Sequence, residues 1–188
     1  MKMHEKNAWS WVMRTYLFDQ YIARGLASGV DTILNLAAGL DARPYRMDVP
    51  PTLRWIEVDL PELLAYKEEV LGGEKPRCAV ERVPLDLSDV AKRRALFAQV
   101  GASARKVLVL SEGLLVYLGA DDVGELATDL ARQGSFQLWA FDIVSPGLLE
   151  MLRRQGGGEE LAQAGAPFKF APAEGPAFFA RYGWRPAD

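Results

Sequence analysis

Asn35-Leu36-Ala37-Ala38-Gly39-Leu40-Asp41-Ala42-Arg43 decides the fold, because it follows the apolar run Thr32 to Leu34 and breaks it with small residues. A strand that stops in a small-residue turn is where an α/β protein holds a nucleotide-like ligand. A second apolar run, Leu53 to Val58, closes on Asp59. That acid stands about 20 residues beyond Gly39, the spacing at which a carboxylate reaches an adenosine ribose.

On the N-terminal side, Trp9, Val12, Met13, Tyr16, Leu17 and Tyr21 recur at steps of three and four. This predicts an amphipathic helix over Trp9 to Ile22, ended by Gly25 and Gly29. On the C-terminal side, Asp41 is placed to cap a short or distorted helix, Pro44 fits its first turn, and Pro50-Pro51 stops it. Pro61 opens a helix to Val70, closed by Gly72-Gly73. Then come a strand over Cys78 to Val83, a helix over Val90 to Val100, a strand over Lys106 to Leu110, a helix over Asp122 to Gln133, and a strand over Phe136 to Ile143. Strands apolar along their whole length, each separated by a helix, imply a parallel sheet covered on both faces. The expected fold class is therefore α/β, a doubly wound Rossmann-like sheet.

Beyond Pro146 a helix to Gln155 is expected, then Gly156-Gly157-Gly158 and the prolines 167, 172 and 176 mark a looser region. Tyr182-Gly183-Trp184-Arg185-Pro186 reads as the start of one more strand, so the C-terminal edge of the sheet reads as truncated. The expected organisation is a single domain over residues 1–188. It comprises a helical cap (1–29), a cofactor-binding core (30–145) and a helical appendage or active-site cover (146–188).

The chain has 188 residues, 49% of them hydrophobic, enough for one sizeable core. A net charge of −3, from 22 basic and 25 acidic residues, offers no basic surface for nucleic acid or an anionic membrane. A small molecule is the expected partner. One cysteine, Cys78, and one histidine, His4, exclude an intramolecular disulfide and the usual zinc site, so no metal is expected. Residues Met1 to Trp11 lack a secretory apolar core, and Val107 to Ala120 is too short and too polar to span a bilayer. A cytoplasmic location is expected by elimination.

Ligands of doubly wound sheets lie outside the carboxyl ends of the strands. There this chain places Ala37 to Asp41, Asp59, Asp86-Leu87, Ser111-Glu112-Gly113 and Asp142, so nearly every strand ends in an acid. Such acids serve as helix caps, or together they build a ligand site out of carboxylates. Two cofactors compete for such a site. Ala37-x-Gly39-x-x-Ala42 can be laid on a dinucleotide fingerprint, which would make the protein an NAD-dependent oxidoreductase, but a pyrophosphate needs free amides and no competing anion, and Asp41 sits in the turn. S-adenosylmethionine carries an ammonium, a sulfonium and two ribose hydroxyls, and an acid-rich cleft suits it better.

Five ordered segments also carry a resemblance. Arg14-Thr15-Tyr16 with Asp19, Asn35 to Arg46, Glu57-Val58-Asp59-Leu60-Pro61 with Tyr66-Lys67, Asp86-Leu87, and Ser111 to Leu118 resemble the leucine carboxyl methyltransferase family of S-adenosylmethionine-dependent O-methyltransferases. Its bacterial members are loosely associated with polyketide biosynthesis. The resemblance, running from about residue 14 to 145, implies a class I methyltransferase sheet and an O-methyltransferase acting on a carboxylate or hydroxyl of a small molecule. It further implies that Arg14 pairs with the cofactor's methionine carboxylate and that Ala37 and Gly39 let the backbone approach the methionine portion. Asp59 would accept both ribose hydroxyls, Asp86 with the backbone of Leu87 would read the adenine edge, and Glu112 would face the ammonium. Tyr16, Tyr21 and Tyr117 could position an acceptor, although aromatics at helical spacing more commonly belong to the core. The family usually carries glycine where this chain has Ala37, and its members are longer at both ends. These two departures keep a non-catalytic methyltransferase-like binding domain as an alternative, and an incomplete sheet edge is compatible with a homodimer.

Overall fold

The computed structural model describes residues 2–154 and 167–187. Strands β1 (Thr32–Leu36), β2 (Arg54–Asp59), β3 (Ala79–Pro84), β4 (Val107–Ser111) and β5 (Phe136–Phe141) form one sheet in the order β3-β2-β1-β4-β5. Every pairing is parallel. Helices α1 (Lys2–Ala27), α2 (Arg43–Arg46), α3 (Pro61–Val70), α4 (Val90–Ser103), α5 (Ala120–Ala131) and α6 (Pro146–Arg154) provide the connections and flanks, with 3-10 turns at Leu115–Tyr117 and Gly175–Tyr182. The chain winds outward from β1 to β3, then crosses back to β4, so strand order reverses between β1 and β4. Their carboxyl ends splay apart there, and a crevice opens.

Alternation along β1 sends Ile33 to one face and Leu34 and Leu36 to the other. Leu34 and Leu36 join Ile56, Phe97 of α4 and Leu126 and Leu130 of α5 in the larger core. Ile33 joins Trp55, Leu108 and Leu110 under Phe18 and Ile22 of α1. The central strands β1 and β4 are buried along their full length. The outer strand β3 is not, since none of its residues is fully buried, against the expectation of strands apolar throughout. An edge strand has one open flank, and Glu81 and Arg82 occupy it.

Helix α1 corrects the expected one in two ways. It runs on to Ala27, and Gly25 lies inside it: a Cβ there would stand 3.1 Å from Leu108 Cδ2, so the glycine lets the helix sit down on β4 instead of ending it. Its apolar repeat is also turned outward. Trp9 is 72% exposed, Tyr16 54% and Tyr21 48%, whereas Phe18 and Ile22, spaced four apart, are the buried pair. Burying these two side chains contributes about 1.5–3 kcal/mol each and decides which face is down.

The C-terminal residues belong to the larger core. Phe170, Phe178 and Phe179 are buried, and Phe179 packs on Trp139 and Phe141 of β5 with ring centroids 5.3 and 4.4 Å apart. No strand forms over Tyr182–Pro186 among the described residues. The 3-10 turn ends at Tyr182, Gly183 turns the chain, and Trp184 docks by its ring on Trp139 at 5.2 Å and by its Nε1–H to the Ala127 carbonyl at 3.0 Å. Side-chain docking on β5 and α5 replaces backbone pairing. Gln155 and the triple glycine that follows it lie outside the described residues. No helix among the described residues is long and apolar enough to cross a membrane.

Candidate functional site

The turn after β1 is wired to β2 by its backbone. Ala38 N–H donates to the Val58 carbonyl at 3.2 Å, Asp41 N–H to the Ala38 carbonyl at 3.0 Å, and Gly39 N–H to Asp59 Oδ2 at 2.7 Å. The Leu60 amide donates to the other Asp59 oxygen at 2.7 Å. Asp59 is buried at the end of β2, and the two bonds aim its carboxylate at the crevice. Making this tight turn takes two residues in the left-handed region, Ala37 at φ 53° and Gly39 at φ 49°. Glycine adopts that conformation freely, and alanine does so at a cost.

Asp41 does not cap α2 in the usual sense, as the cap position is Ala42 and lacks a side-chain bond. Its Oδ1 instead accepts from the Arg43 amide at 2.9 Å and its Oδ2 from Asn35 Nδ2 at 2.9 Å. The amides of Ala38, Gly39, Asp41 and Arg43 are thus taken within the protein instead of facing a pyrophosphate, and the short helix α2 presents none in their place.

Spacing by four on α1 places Arg14 above Phe18, so the face that buries Phe18 brings Arg14 to the ends of β4 and β5. Arg14 Nε donates to Glu112 Oε1 at 3.0 Å and Nη1 to Asp142 Oδ2 at 3.2 Å. Asp142 Oδ1 in turn accepts from Gly113 N–H at 2.6 Å. Arg43, its side chain 4% exposed, pairs through Nε with Asp19 at 2.7 Å, through Nη1 with Asp41 at 3.0 Å and through Nη2 with Glu112 Oε2 at 2.7 Å. Arg46 grips Asp19 from outside through two bonds of 2.7 Å. Burial works against the Arg43 charge, but Asp41, Asp19 and Glu112 outweigh it and hold its pKa above the ordinary value. Burial likewise pushes the Asp19 carboxyl up, and its bonds to Arg46 and Arg43 bring it below the usual range.

Two cavities flank the turn. One, of about 370 Å³, is polar and lined by Arg14, Thr15, Asn35, Gly39, Arg43 and Glu112 among others. The second, of about 350 Å³, has apolar walls from Leu60, Leu85, Leu114 and Leu118, with Asp59 and the Asp86-Leu87 pair at its rim. Ala37 lines both. The residues singled out in the sequence thus divide into Arg14, Gly39 and Glu112 on the polar side, Asp59, Asp86 and Leu87 on the apolar side, and Ala37 between them. Asp86 does not cap α4, which Asp89 does by accepting from Lys92 N–H at 3.1 Å. It closes a small turn instead, accepting from Ser88 N–H at 2.8 Å, and that bond keeps it below the usual carboxylate range and ionised. Tyr117 is half-buried against Phe168 at 5.3 Å, while Tyr16 and Tyr21 are exposed and are no part of the core.

The sequence places Asp142 among the strand-end acids and Asp19 and Arg43 within the family-like segments, but it assigns none of the three a role of its own. Arg43 stood in the quoted turn next to Asp41 and could have been flagged as a guanidinium amid buried surroundings. Its pairing with Asp19 and Glu112 is tertiary and leaves no local trace. A cleft with a charged end and a largely apolar end fits a ligand with an amino-acid moiety joined to a nucleoside.

A leucine carboxyl methyltransferase family model matches residues 2–131. A protein of Frankia alni named as an S-adenosyl-L-methionine-dependent methyltransferase is 32% identical over 179 residues, 93% of this chain and 62% of that protein. One of the same description from a Parafrankia species is 38% identical over 122 residues, covering 64% of this chain and 39% of the relative. The chain thus spans between about two fifths and three fifths of the length of these relatives. Among solved structures, a DUF574 family protein from Streptomyces avermitilis shares the fold at TM-score 0.66 and 16% identity, over 88% of this chain and 66% of that one. An O-methyltransferase family protein from Burkholderia thailandensis does so at TM-score 0.56 and 16% identity, over 89% and 49%. With a class I methyltransferase sheet, a turn after β1 that meets Asp59, and a family match over most of its length, the chain belongs to the leucine carboxyl methyltransferase family.

Proposed function

We propose that the crevice binds S-adenosylmethionine and that the protein transfers a methyl group to a carboxylate or hydroxyl oxygen of a small molecule. The observation that carries this reading is the pair of cavities meeting at Ala37, one charged and one apolar, at the point where strand order reverses. Arg14, its side chain 40% exposed, has a planar fork that can turn to a carboxylate. Glu112 stands next to it and suits an ammonium. Each oxygen of Asp59 already accepts one amide and retains capacity for a ribose hydroxyl. Asp86 and the backbone of Leu87 border the apolar cavity where a purine edge would lie.

Bound there, the cofactor supplies an electrophilic methyl on a sulfonium, open to in-line attack by an acceptor oxygen. The protein's part is to hold the two partners in line and to keep water out. An acceptor carboxylate needs no base, whereas a hydroxyl must lose its proton. Titration calorimetry with S-adenosylmethionine should give saturable heat at one site, and no heat at millimolar ligand would overturn the reading. Label transfer to a panel of small acids and alcohols tests the second half. Binding without transfer would make this a methyltransferase-like binding domain.

A further inference from the structure

Arg43 is almost wholly buried at the wall of the polar cavity, where it contacts three separate segments that enclose it. It reaches Asp19 and, at 3.4 Å, the Thr15 carbonyl on α1, Asp41 in the turn after β1, and Glu112 after β4. Its guanidinium also lies 5.7 Å from the centre of the Phe18 ring. The Glu112 carboxylate is shared: one oxygen takes Arg43 and the other takes Arg14.

Helix α1 makes this arrangement consequential. Its apolar anchors are Phe18 and Ile22, and from Trp9 to Leu17 no side chain is fully buried. The half of α1 that carries Arg14 is therefore oriented by polar contacts, of which those of Thr15, Asp19 and, through Glu112, Arg14 meet at Arg43, while a second bond of Arg14 goes to Asp142. We infer that Arg43 is a positioning residue: it fixes Glu112 and the Arg14-bearing half of α1 together, and so sets where the Arg14 guanidinium stands over the polar cavity. This rests on the cofactor reading above. Lysine cannot take over, because its three N–H donors radiate from a single nitrogen and cannot span carboxylates that here meet three separate nitrogens of one rigid plane.

The test is a binding cycle by calorimetry on the full chain, using S-adenosylmethionine and 5′-methylthioadenosine, which has the nucleoside but no amino-acid end. Arg43→Lys should weaken S-adenosylmethionine about tenfold, the loss expected for one misaligned charge-assisted bond. It should leave 5′-methylthioadenosine within about twofold, since that probe occupies the apolar cavity alone. In an Arg14→Gln background the same substitution should cost clearly less than in the wild type, because Arg43 acts in part through Arg14 and in part through Glu112. Additive losses, equal losses for both probes, or no loss would each overturn the inference, the second marking a merely structural role. If Arg43→Lys does not fold, Asp19→Asn enters the same cycle, with Arg46→Gln as its control for the lost Arg46 bonds, because it weakens the α1 arm and leaves Arg43 paired with Asp41 and Glu112. A wild-type protein that fails to bind S-adenosylmethionine overturns the cofactor reading itself, and is recognised before any variant is compared.

Discussion

Ala37→Gly is the substitution on which the description of the turn can be tested most directly. Ala37 stands at φ 53°, where an L-residue with a Cβ carries about 1–2 kcal/mol of strain. Glycine removes that strain but adds about 0.4–1 kcal/mol of freedom to the unfolded chain. The difference is a gain of about 0.5 kcal/mol, which for a chain of this size raises the melting midpoint by about 1–2 °C. A paired substitution fixes the sign of the argument. Gly39 lies at φ 49° with nothing within 4 Å of where its Cβ would be, so Gly39→Ala tests backbone conformation without steric contact. It should lose about 0.5–1 kcal/mol.

Calorimetric melting of the three proteins side by side reads both changes. The methyl of Ala37 also stands where the two cavities meet, so its removal should tighten S-adenosylmethionine a fewfold, read by titration under the same conditions. A melting midpoint that falls with Ala37→Gly, or one that rises with Gly39→Ala, would refute the left-handed turn and with it the account of how the crevice is formed.

Asp59→Asn turns one of two acceptors into a donor facing an amide, and should weaken S-adenosylmethionine by about 1–3 kcal/mol in calorimetry; unchanged affinity would remove Asp59 from the site. Lys67, 1% exposed, pairs with fully buried Glu57 at 2.8 Å, so Lys67→Met should cost about 3–5 kcal/mol in urea unfolding. Adding Glu57→Gln should restore part of it, and no restoration would mean that the pair is uncoupled. Asp19 and Asp129 are pushed up by burial but drawn lower by arginine hydrogen bonds, so both titrate in the fold below the ordinary aspartate value of about 3.9. Their stabilisation is complete above that pH and drains away as pH falls beneath it; Asp19→Asn should flatten the acid limb of a midpoint-against-pH curve, and an identical limb would contradict the assignment.

The turn after β1 was legible in sequence because its physics is local: small residues, a glycine, and an acid twenty positions on. The site residues on strand ends were legible for the same reason, since a parallel sheet puts every such end on one side. The facing of α1 was not. The helix carries apolar residues around much of its circumference, and Phe18 and Ile22 are fewer than the seven large ones that face water; only the position of β4 under Gly25 selects the buried side. The segment around Phe178 and Phe179 escaped for a different reason. Two consecutive buried aromatics match neither a strand nor an α-helical period, and their side chains reach Trp139 and Phe141 from a 3-10 turn.

The site has two halves of different construction. Asp59 accepts from the Gly39 and Leu60 amides, so the turn and the acid beside the apolar cavity are set by backbone hydrogen bonds at the end of a buried strand. Such a half is formed before any ligand arrives and asks little ordering of it. The polar half, where we propose the amino-acid end of the cofactor binds, is set by side-chain ions, two of them carried on a helix whose outer part has no apolar anchor. Adenosine recognition can therefore persist where recognition of the amino-acid end is lost. A relative or variant that binds nucleosides but no longer transfers methyl groups would be explained by changes at Arg14, Asp19 or Arg43, with the turn itself intact.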